Sequence, residues 1–159
     1  MITLNKTTLS DAKLIHAMQL KAFELLLRTY QDYDTNPGNE AIERIVSRIN
    51  QPHSIYYLIK MDKEIVGAIR VLELDEGKKC RISPIFVLPQ FQNKGIGQRA
   101  MQLAETLYPN AAKWVLGTIL EEKGNCHLYE KMGYCQTGET KRLNEKLTLV
   151  FYEKNLGRQ

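Results

Sequence analysis

The sequence predicts a single α+β domain over residues 1–159, with a mixed, mostly antiparallel twisted sheet of about seven strands and four helices. Three observations predict this class. A length of 159 residues suits one domain with a sizeable core. Apolar residues alternate in some segments and recur at helical intervals in others. The order of these segments, β-α-α-β-β-β-α-β-α-β-β, gives an antiparallel meander followed by one β-α-β crossover.

The first half of the chain supplies the helical pair and most of the meander. Ser10 is a suitable N-cap for the first, long amphipathic helix. Asp62-Lys63 and residues 75–78 have the composition of turns between strands. The predicted elements here are strands at residues 2–6, 55–61 and 65–74, a helix that follows Ser10 and a helix at residues 40–49.

The second half supplies the crossover and a closing hairpin. Gly133 is a suitable C′ residue at the end of the second helix of this half. The crossover makes the strands on either side of it parallel neighbours. The predicted elements are strands at residues 81–88, 114–119, 134–140 and 147–153, a helix opened by Gly95 and a short helix at residues 125–132.

Composition excludes several classes of function. The net charge of +4 arises from 22 basic and 18 acidic residues spread along the chain, so no concentrated basic face for nucleic acid is expected. No apolar run approaches the roughly 18 residues of a membrane span, and the first residues lack a signal pattern. The cysteines Cys80, Cys126 and Cys135 have no metal-ligand spacing, and none of the histidines does either. We expect a cytoplasmic protein with reduced thiols and no metal.

Residues 81–104 contain the strongest functional signal. A buried strand stops at Pro89, a polar loop follows, and Gly95-Ile96-Gly97 opens a helix. Free N–H groups and the helix dipole make such an N-terminus an anion site, and glycine lets a phosphate approach the backbone. A P-loop is excluded because Gln98-Arg99 follows Gly97. A dinucleotide fingerprint matches literally, but six residues separate Leu88 from Gly95 and only one βα unit is present.

A third signature fits better. Val87-x-Pro89-x-x-Gln92-x-x-Gly95-x-Gly97 resembles the acetyl-coenzyme A motif of the GNAT superfamily of N-acetyltransferases. A second segment, Asn125-x-x-Leu128-Tyr129-Glu130-Lys131-Met132-Gly133-Tyr134, is similar to a downstream segment of that superfamily. The element order matches as well, so the resemblance covers essentially the whole chain. It implies the acyl-CoA N-acyltransferase fold.

The resemblance implies a set of residues that bind acetyl-CoA. In the superfamily the strand before the motif separates from its parallel neighbour and pairs with the pantetheine amides. Lys94 is also consistent with an ordinary surface lysine. The positions implied for pantetheine are Phe86 and Val87, and those implied for the pyrophosphate are the backbone N–H groups of Gln92, Asn93, Lys94, Gly95, Ile96, Gly97 and Gln98.

The resemblance also implies how the reaction proceeds. Tyr129 matches the general acid that protonates the departing thiolate, and its alternative is a tyrosine that packs beneath the sheet. Asn125 matches a cofactor- or water-binding asparagine, and its alternative is a plain N-cap. The backbone N–H of Val87 or its neighbour would stabilise the oxyanion. A route through an acylated Cys126 is the alternative to direct attack in a ternary complex.

The sequence defines the general base and the acceptor of the acetyl group less clearly. The superfamily's strand glutamate is missing from residues 81–85, which leaves Glu73, Glu121, Glu122 or a water chain. A small-molecule or peptide amine is the expected acceptor. The aromatic and acidic residues at positions 30–34 are consistent with a solvated loop and also with recognition of a cationic amine. A homodimer through the last strands is common in the superfamily. The leading hypothesis is an acetyl-CoA-dependent N-acetyltransferase, and its rival is an acyl-CoA-binding sensor or pseudoenzyme without turnover.

Overall fold

A mixed sheet forms the centre of the molecule. The structure, a computed structural model, describes residues 1–157. Within these residues the strands are β1 (Ile2–Lys6), β2 (Ser54–Met61), β3 (Glu64–Leu74), β4 (Lys79–Val87), β5 (Lys113–Ile119), β6 (Cys135–Arg142) and β7 (Thr148–Asn155). They form one sheet in the spatial order β1-β2-β3-β4-β5-β7-β6. All neighbours are antiparallel except β4 and β5, which confirms the predicted sheet and its parallel pair.

Four α-helices accompany the sheet within the described part of the chain. They are α1 (Ala12–Tyr30), α2 (Ile42–Asn50), α3 (Ile96–Leu107) and α4 (Lys123–Lys131). Their order confirms the prediction, but Ser10 is not the N-cap. The Thr8 N–H instead donates to Asp11 Oδ2 at 2.9 Å across a short 3₁₀ turn that precedes α1. The Ser10 hydroxyl is hydrogen-bonded to the hydroxyl of Thr8.

Helices cover the two faces of the sheet unequally. On one face α3 and α4 pack against a large core that includes the fully buried Trp114 and Tyr152. On the other face α1 and α2 pack against β2, β3 and the end of β4, with Ile15 and Ile45 fully buried. Burying each such side chain stabilises the fold by roughly 1.5–3 kcal/mol. On this second face β5, β7 and β6 line an open cavity.

A β-bulge changes the direction of β4. Ile69 pairs with Ile85 and Val71 pairs with Ile82, so two residues of β4 lie opposite the single residue Arg70. A bulge of this kind bends its strand and increases the local twist. It also changes which face the following side chains point to. Ile82 therefore packs in the α3 core, whereas Phe86 packs in the core beneath α1.

The two parallel strands separate soon after they meet. Pairing of β4 with β5 is confined to Lys79–Arg81 of β4 and Lys113–Val115 of β5. Beyond these residues β5 continues beside β7, while β4 continues beside β3. The β5-facing edge of β4 is therefore without a strand partner over residues 82–87. This gap is the feature of the fold that positions the candidate site.

Candidate active site

The loop between β4 and α3 forms the first part of the site. Gly95 is the N-cap of α3 and has a φ of 77°, which explains the glycine because the left-handed region is unfavourable for residues with a side chain. Asn93 also has a positive φ, of 63°. The Gln92 side-chain amide donates to the Val87 carbonyl at 2.9 Å and ties the loop back to the end of β4.

Consecutive N–H groups in this loop are free. Within the described residues, the backbone N–H groups at positions 93–98 have no hydrogen-bond acceptor. The Gln92 N–H, which was predicted to belong to the same set, instead donates to the Pro89 carbonyl at 3.3 Å. A Cβ on Gly95 would meet no atom within 4 Å, and one on Gly97 would come no closer than 4.0 Å to Val87 Cγ2. The N–H groups thus face open space at the positive end of α3. This is the geometry of a backbone anion cradle.

Two of the predicted cofactor residues, Phe86 and Ile96, can offer only their backbone to a ligand. The Ile96 and Phe86 side chains are buried in the two cores, so neither can contact a ligand at the loop. Phe86 and Val87 pair with Ala68 and Gly67 of β3, which leaves their other edge open. The exposed Lys94 has its Nζ 5.9 Å from the centre of the Phe91 ring.

A cavity of about 880 Å³ forms the second part of the site. It occupies the gap between β4 and β5 and extends over the uncovered face of β5, β7 and β6. Asn125 and Tyr129 line it, together with residues 81–85 of β4. The loop residues 92–98 do not line it. The structure therefore distributes the predicted residues between two places, one at each end of the separated part of β4.

Tyr129 lies on α4, one turn after Asn125. Its ring packs between Tyr134, 6.2 Å away, and Tyr152, 6.1 Å away. Its hydroxyl has no hydrogen-bond partner among the described residues. Burial, with a smaller contribution from Cys126, raises the pKa of Tyr129 to about 12. The phenol is therefore protonated at neutral pH, as a proton donor must be.

Asn125 and Cys126 differ in their access to the cavity. Glu122 is the N-cap of α4, so the interpretation of Asn125 as a plain N-cap is wrong. Asn125 is exposed and lines the cavity. The Cys126 thiol is buried and does not line the cavity; its Sγ lies 3.6 Å from the Ile119 carbonyl oxygen. This arrangement does not favour a route through Cys126.

None of the three candidate bases lines the cavity. Glu73 lines a separate pocket of about 230 Å³, together with Tyr108. Glu121 accepts a hydrogen bond from the Thr148 N–H at 2.9 Å. Glu122 accepts one from the Tyr30 hydroxyl at 2.5 Å, and this bond is the main reason that the pKa of Tyr30 is raised to about 12. Both of the last two carboxylates are thus engaged in holding the end of α1 and the start of β7.

Two of the residues at positions 30–34 that could suit a cationic amine, Tyr30 and Asp32, are engaged elsewhere. Tyr30 is 8 % exposed and is bonded to Glu122. Asp32 accepts a hydrogen bond from the Thr35 N–H at 3.1 Å and a second from the Thr35 hydroxyl. Of this group only Asp32 lines the cavity.

Sequence reasoning missed Arg70, which supports the bulge of β4. Arg70 is 7 % exposed and lies opposite the bulge. Its guanidinium donates to the Ser83 carbonyl at 2.8 Å, to Ser54 Oγ at 2.8 Å and to Gln51 Oε1 at 2.9 Å. The sequence does contain a signal for a buried structural role, because Arg70 is the one charged residue within the apolar run at residues 65–72. A charge in such a run requires buried partners.

Tyr152 was also missed, because it resembles any strand tyrosine in the sequence. It is completely buried, and its hydroxyl donates to Glu130 Oε2 at 2.7 Å. Gln136 donates to the same hydroxyl at 3.2 Å. Since Glu130 follows Tyr129, this network ties the part of α4 that carries Tyr129 to β6 and β7.

Two further findings concern metals and membranes. Across residues 1–157, no three His, Cys, Asp or Glu side chains are grouped as they would be to hold a metal ion. No helix in that range combines the length and the apolar character needed to cross a bilayer.

Comparison with known proteins identifies the family. The model of the acetyltransferase (GNAT) family matches residues 20–134, well over half of the chain. No curated protein matches the chain in sequence.

Solved structures share the fold. The ribosomal-protein-S18-alanine N-acetyltransferase from Escherichia coli superposes with a TM-score of 0.79 at 11 % identity, over 100 % of this chain and 96 % of that one. The spermidine N-acetyltransferase from Vibrio cholerae, solved with CoA and spermine, superposes with a TM-score of 0.76 at 17 % identity, over 97 % of this chain and 95 % of that one. An acetyltransferase from Thermus thermophilus superposes with a TM-score of 0.74 at 16 % identity, over 98 % of this chain and 97 % of that one. The chain belongs to the acetyltransferase (GNAT) family.

Proposed function

We propose that this chain transfers the acetyl group of acetyl-CoA to a primary amine, by direct attack in a ternary complex with Tyr129 as general acid. The observation that carries the proposal is the free edge of β4 over residues 82–87. One end of this edge leads to the unpaired N–H groups of the loop, and the other lines the cavity that contains Tyr129. A thioester ligand with a distant diphosphate would use both ends.

The residues present fit such a ligand. The N–H groups at positions 93–98 would hold the diphosphate, because they are free and lie at a helix N-terminus. The backbone of Phe86 and Val87 would pair with the pantetheine amides, with the Gln92 side chain released from the Val87 carbonyl. The presence of CoA in the structurally similar spermidine N-acetyltransferase supports this assignment.

Tyr129 and water account for the two proton transfers. Acetyl-CoA supplies an activated acetyl group with a thiolate as the leaving group. The amine nitrogen forms a bond to the carbonyl carbon, the carbon–sulfur bond breaks, and the Tyr129 hydroxyl gives its proton to the sulfur. The backbone N–H of Val87 or its neighbour stabilises the oxyanion. Water in the open cavity removes the amine proton, since Glu73, Glu121 and Glu122 do not line the cavity.

The proposal is tested by measuring thiol release from acetyl-CoA in the presence of a panel of primary amines. Stimulation of release by at least one amine, with its acetylated product identified by mass spectrometry, is the expected result. CoA binding without any amine-stimulated release would contradict it. That result would favour an acyl-CoA-binding sensor.

A further inference from the structure

Arg81 lies on the cavity side of β4. Side chains alternate along the strand, and its neighbours Cys80 and Ile82 are both buried in the core that packs against α3. Arg81 and Ser83 are exposed and line the cavity on the opposite face. The direction of the Arg81 side chain is thus fixed by the burial of its neighbours.

Arg81 also marks the point where the strands separate. It is the last residue of β4 that pairs with β5, and its partner there is Val115. Beyond this pair the gap opens towards Asn125 and Tyr129. The guanidinium therefore belongs to the same cavity as the proposed acid.

The charge of Arg81 is not compensated by its neighbours. Arg81 has neither an ion pair nor a hydrogen-bonded side-chain partner among residues 1–157. Of the other basic groups near it, Lys113 pairs with Glu153 at 3.5 Å and Lys79 pairs with Asp75 at 3.8 Å.

The remaining acidic groups of the cavity are engaged or distant. Both carboxylate oxygens of Asp32 accept hydrogen bonds from Thr35. Glu139 lies on β6, three strands from β4, roughly 14 Å away at the ordinary strand spacing. Lys141, on the same strand, also lines the cavity. Of the basic side chains on β4 and β5 at the start of the gap, Arg81 is therefore the one without a carboxylate partner among residues 1–157.

Beside these charged groups, apolar side chains line a large part of the cavity. Val115, Phe151 and Leu149 line it, and Phe23 and Leu26 of α1 form the facing wall. A polycationic acceptor would place its charges beside Arg81 and against these apolar side chains. Both contacts are unfavourable.

We infer that the acceptor amine carries a carboxylate and an apolar body, and that Arg81 recognises the carboxylate. The planar guanidinium matches a carboxylate with two parallel hydrogen bonds. The inference rests on the proposed function and names its substrate class. It replaces the expectation of a cationic acceptor based on residues 30–34.

The test compares pairs of acceptors whose members differ in the presence of a carboxylate, and it includes spermidine as a polycationic acceptor. Thiol release is measured with L-phenylalanine and phenethylamine, with L-leucine and isoamylamine, and with spermidine. We expect kcat/KM to be at least about 10-fold higher for the carboxylated member of each pair. Arg81→Gln should lower kcat/KM for the carboxylated amines by about 10- to 100-fold and change that of phenethylamine and isoamylamine, which lack the carboxylate, by less than about 2-fold. Arg44→Gln, on the exposed side of α2, is the matched control and should change neither.

A binding measurement separates this inference from the proposed function. Phenylacetate has the apolar body and the carboxylate but no amine, so its titration into the CoA-loaded protein needs no turnover. Binding weakened about 10-fold or more by Arg81→Gln and not by Arg44→Gln would support the inference. Equal binding to all three proteins, or a preference for spermidine, would overturn it. Absence of turnover with every amine would contradict the proposed function, and the phenylacetate titration would still decide the role of Arg81.

Discussion

Tyr129 is the residue on which the proposed chemistry depends most. Its position follows from helical spacing, because residues four apart share a face and both Asn125 and Tyr129 reach the cavity. Its ring is held by Tyr134 and Tyr152 while its hydroxyl is left without a partner in the described residues. The sequence motif could predict this residue. It could not predict the rings that hold it, since those contacts join strands that are distant in the chain.

Replacing Tyr129 by Phe should lower kcat by about 100-fold or more, because the ring packing is retained and the proton donor is lost. The Kd for CoA should stay within about 2-fold of that of the unmodified protein. Steady-state kinetics and calorimetric titration measure the two quantities. Tyr33→Phe is the control, since Tyr33 is 57 % exposed and lies outside the cavity lining. Undiminished turnover in Tyr129→Phe would remove this residue as the acid.

The raised pKa of Tyr129 also predicts a pH profile. A pKa of about 12 keeps the acid protonated throughout the working range, whereas an alkyl amine of pKa roughly 10.4 becomes neutral only as the pH rises. The value of kcat/KM should therefore increase with pH up to about pH 10, without a descending limb. A fall in kcat/KM above neutral pH that disappears in Tyr129→Phe would contradict this prediction. It would show that the Tyr129 phenol loses its proton at a much lower pH than its burial implies.

The loop before α3 is the element that binds the diphosphate in this account. Gly97 provides the cleaner test of it, because Gly95 has a positive φ that strains any side chain, whereas a Cβ at Gly97 meets only open space. Gly97→Val should weaken CoA binding about 10-fold or more, since the side chain would occupy the place of the phosphate.

The thermal midpoint of Gly97→Val should change little, and this distinguishes loss of the ligand from loss of the fold. Gly124→Val is the matched control: Gly124 is an exposed glycine in the first turn of α4, and a Cβ there also meets nothing within 4 Å. Equal CoA affinity in all three proteins would mean that the loop does not bind the diphosphate.

The bulge of β4 is held by hydrogen bonds from Arg70, and its dependence on Arg70 can be tested. Arg70→Met should reduce the free energy of unfolding by about 2–4 kcal/mol, because it leaves the Ser83 carbonyl and the Gln51 and Ser54 side chains without their donor. CoA affinity should fall as well, since the bulge sets the direction of residues 84–87. Arg70→Lys should restore only part of the loss, because one ammonium cannot reach three acceptors in the same plane.

Denaturant unfolding and calorimetric titration measure these effects. Arg28→Met is the control, because the Arg28 side chain is 71 % exposed and makes only a 3.9 Å ion pair with Glu24. If Arg70→Met were as stable as this control, the bulge would not depend on Arg70.

Strands, helices and the glycine loop could be predicted because each is encoded by a local pattern. Gly95, for example, occupies a left-handed N-cap, a position that favours glycine. The bulge was not predicted, because it depends on how many residues of β4 face Arg70, and this is a property of the pairing and not of either strand. The alternation Cys80-Arg81-Ile82-Ser83 places Arg81 on the face opposite the α3 core, but the sequence does not show that helices leave this face uncovered to form a cavity.

In the molecule as a whole, the loop before α3 and the cavity lie at the two ends of the separated part of β4. The cofactor loop lies at the α3 end of β4, and the cavity opens on the face that α1 and α2 leave uncovered. The two meet along the free edge of β4. The order of elements predicted this arrangement in outline, because a single crossover puts the glycine loop between two parallel strands. The length of the gap could not be predicted, because it depends on how many residues of β4 and β5 pair with each other.

A crystal structure of the protein with acetyl-CoA would test the proposed binding of this ligand along β4. We expect diphosphate oxygens within hydrogen-bonding distance of the N–H groups at positions 93–98, pantetheine along the free edge of β4, and the thioester sulfur facing the Tyr129 hydroxyl. The Gln92 amide should have left the Val87 carbonyl. A diphosphate bound elsewhere, or a thioester directed away from the cavity, would contradict the account.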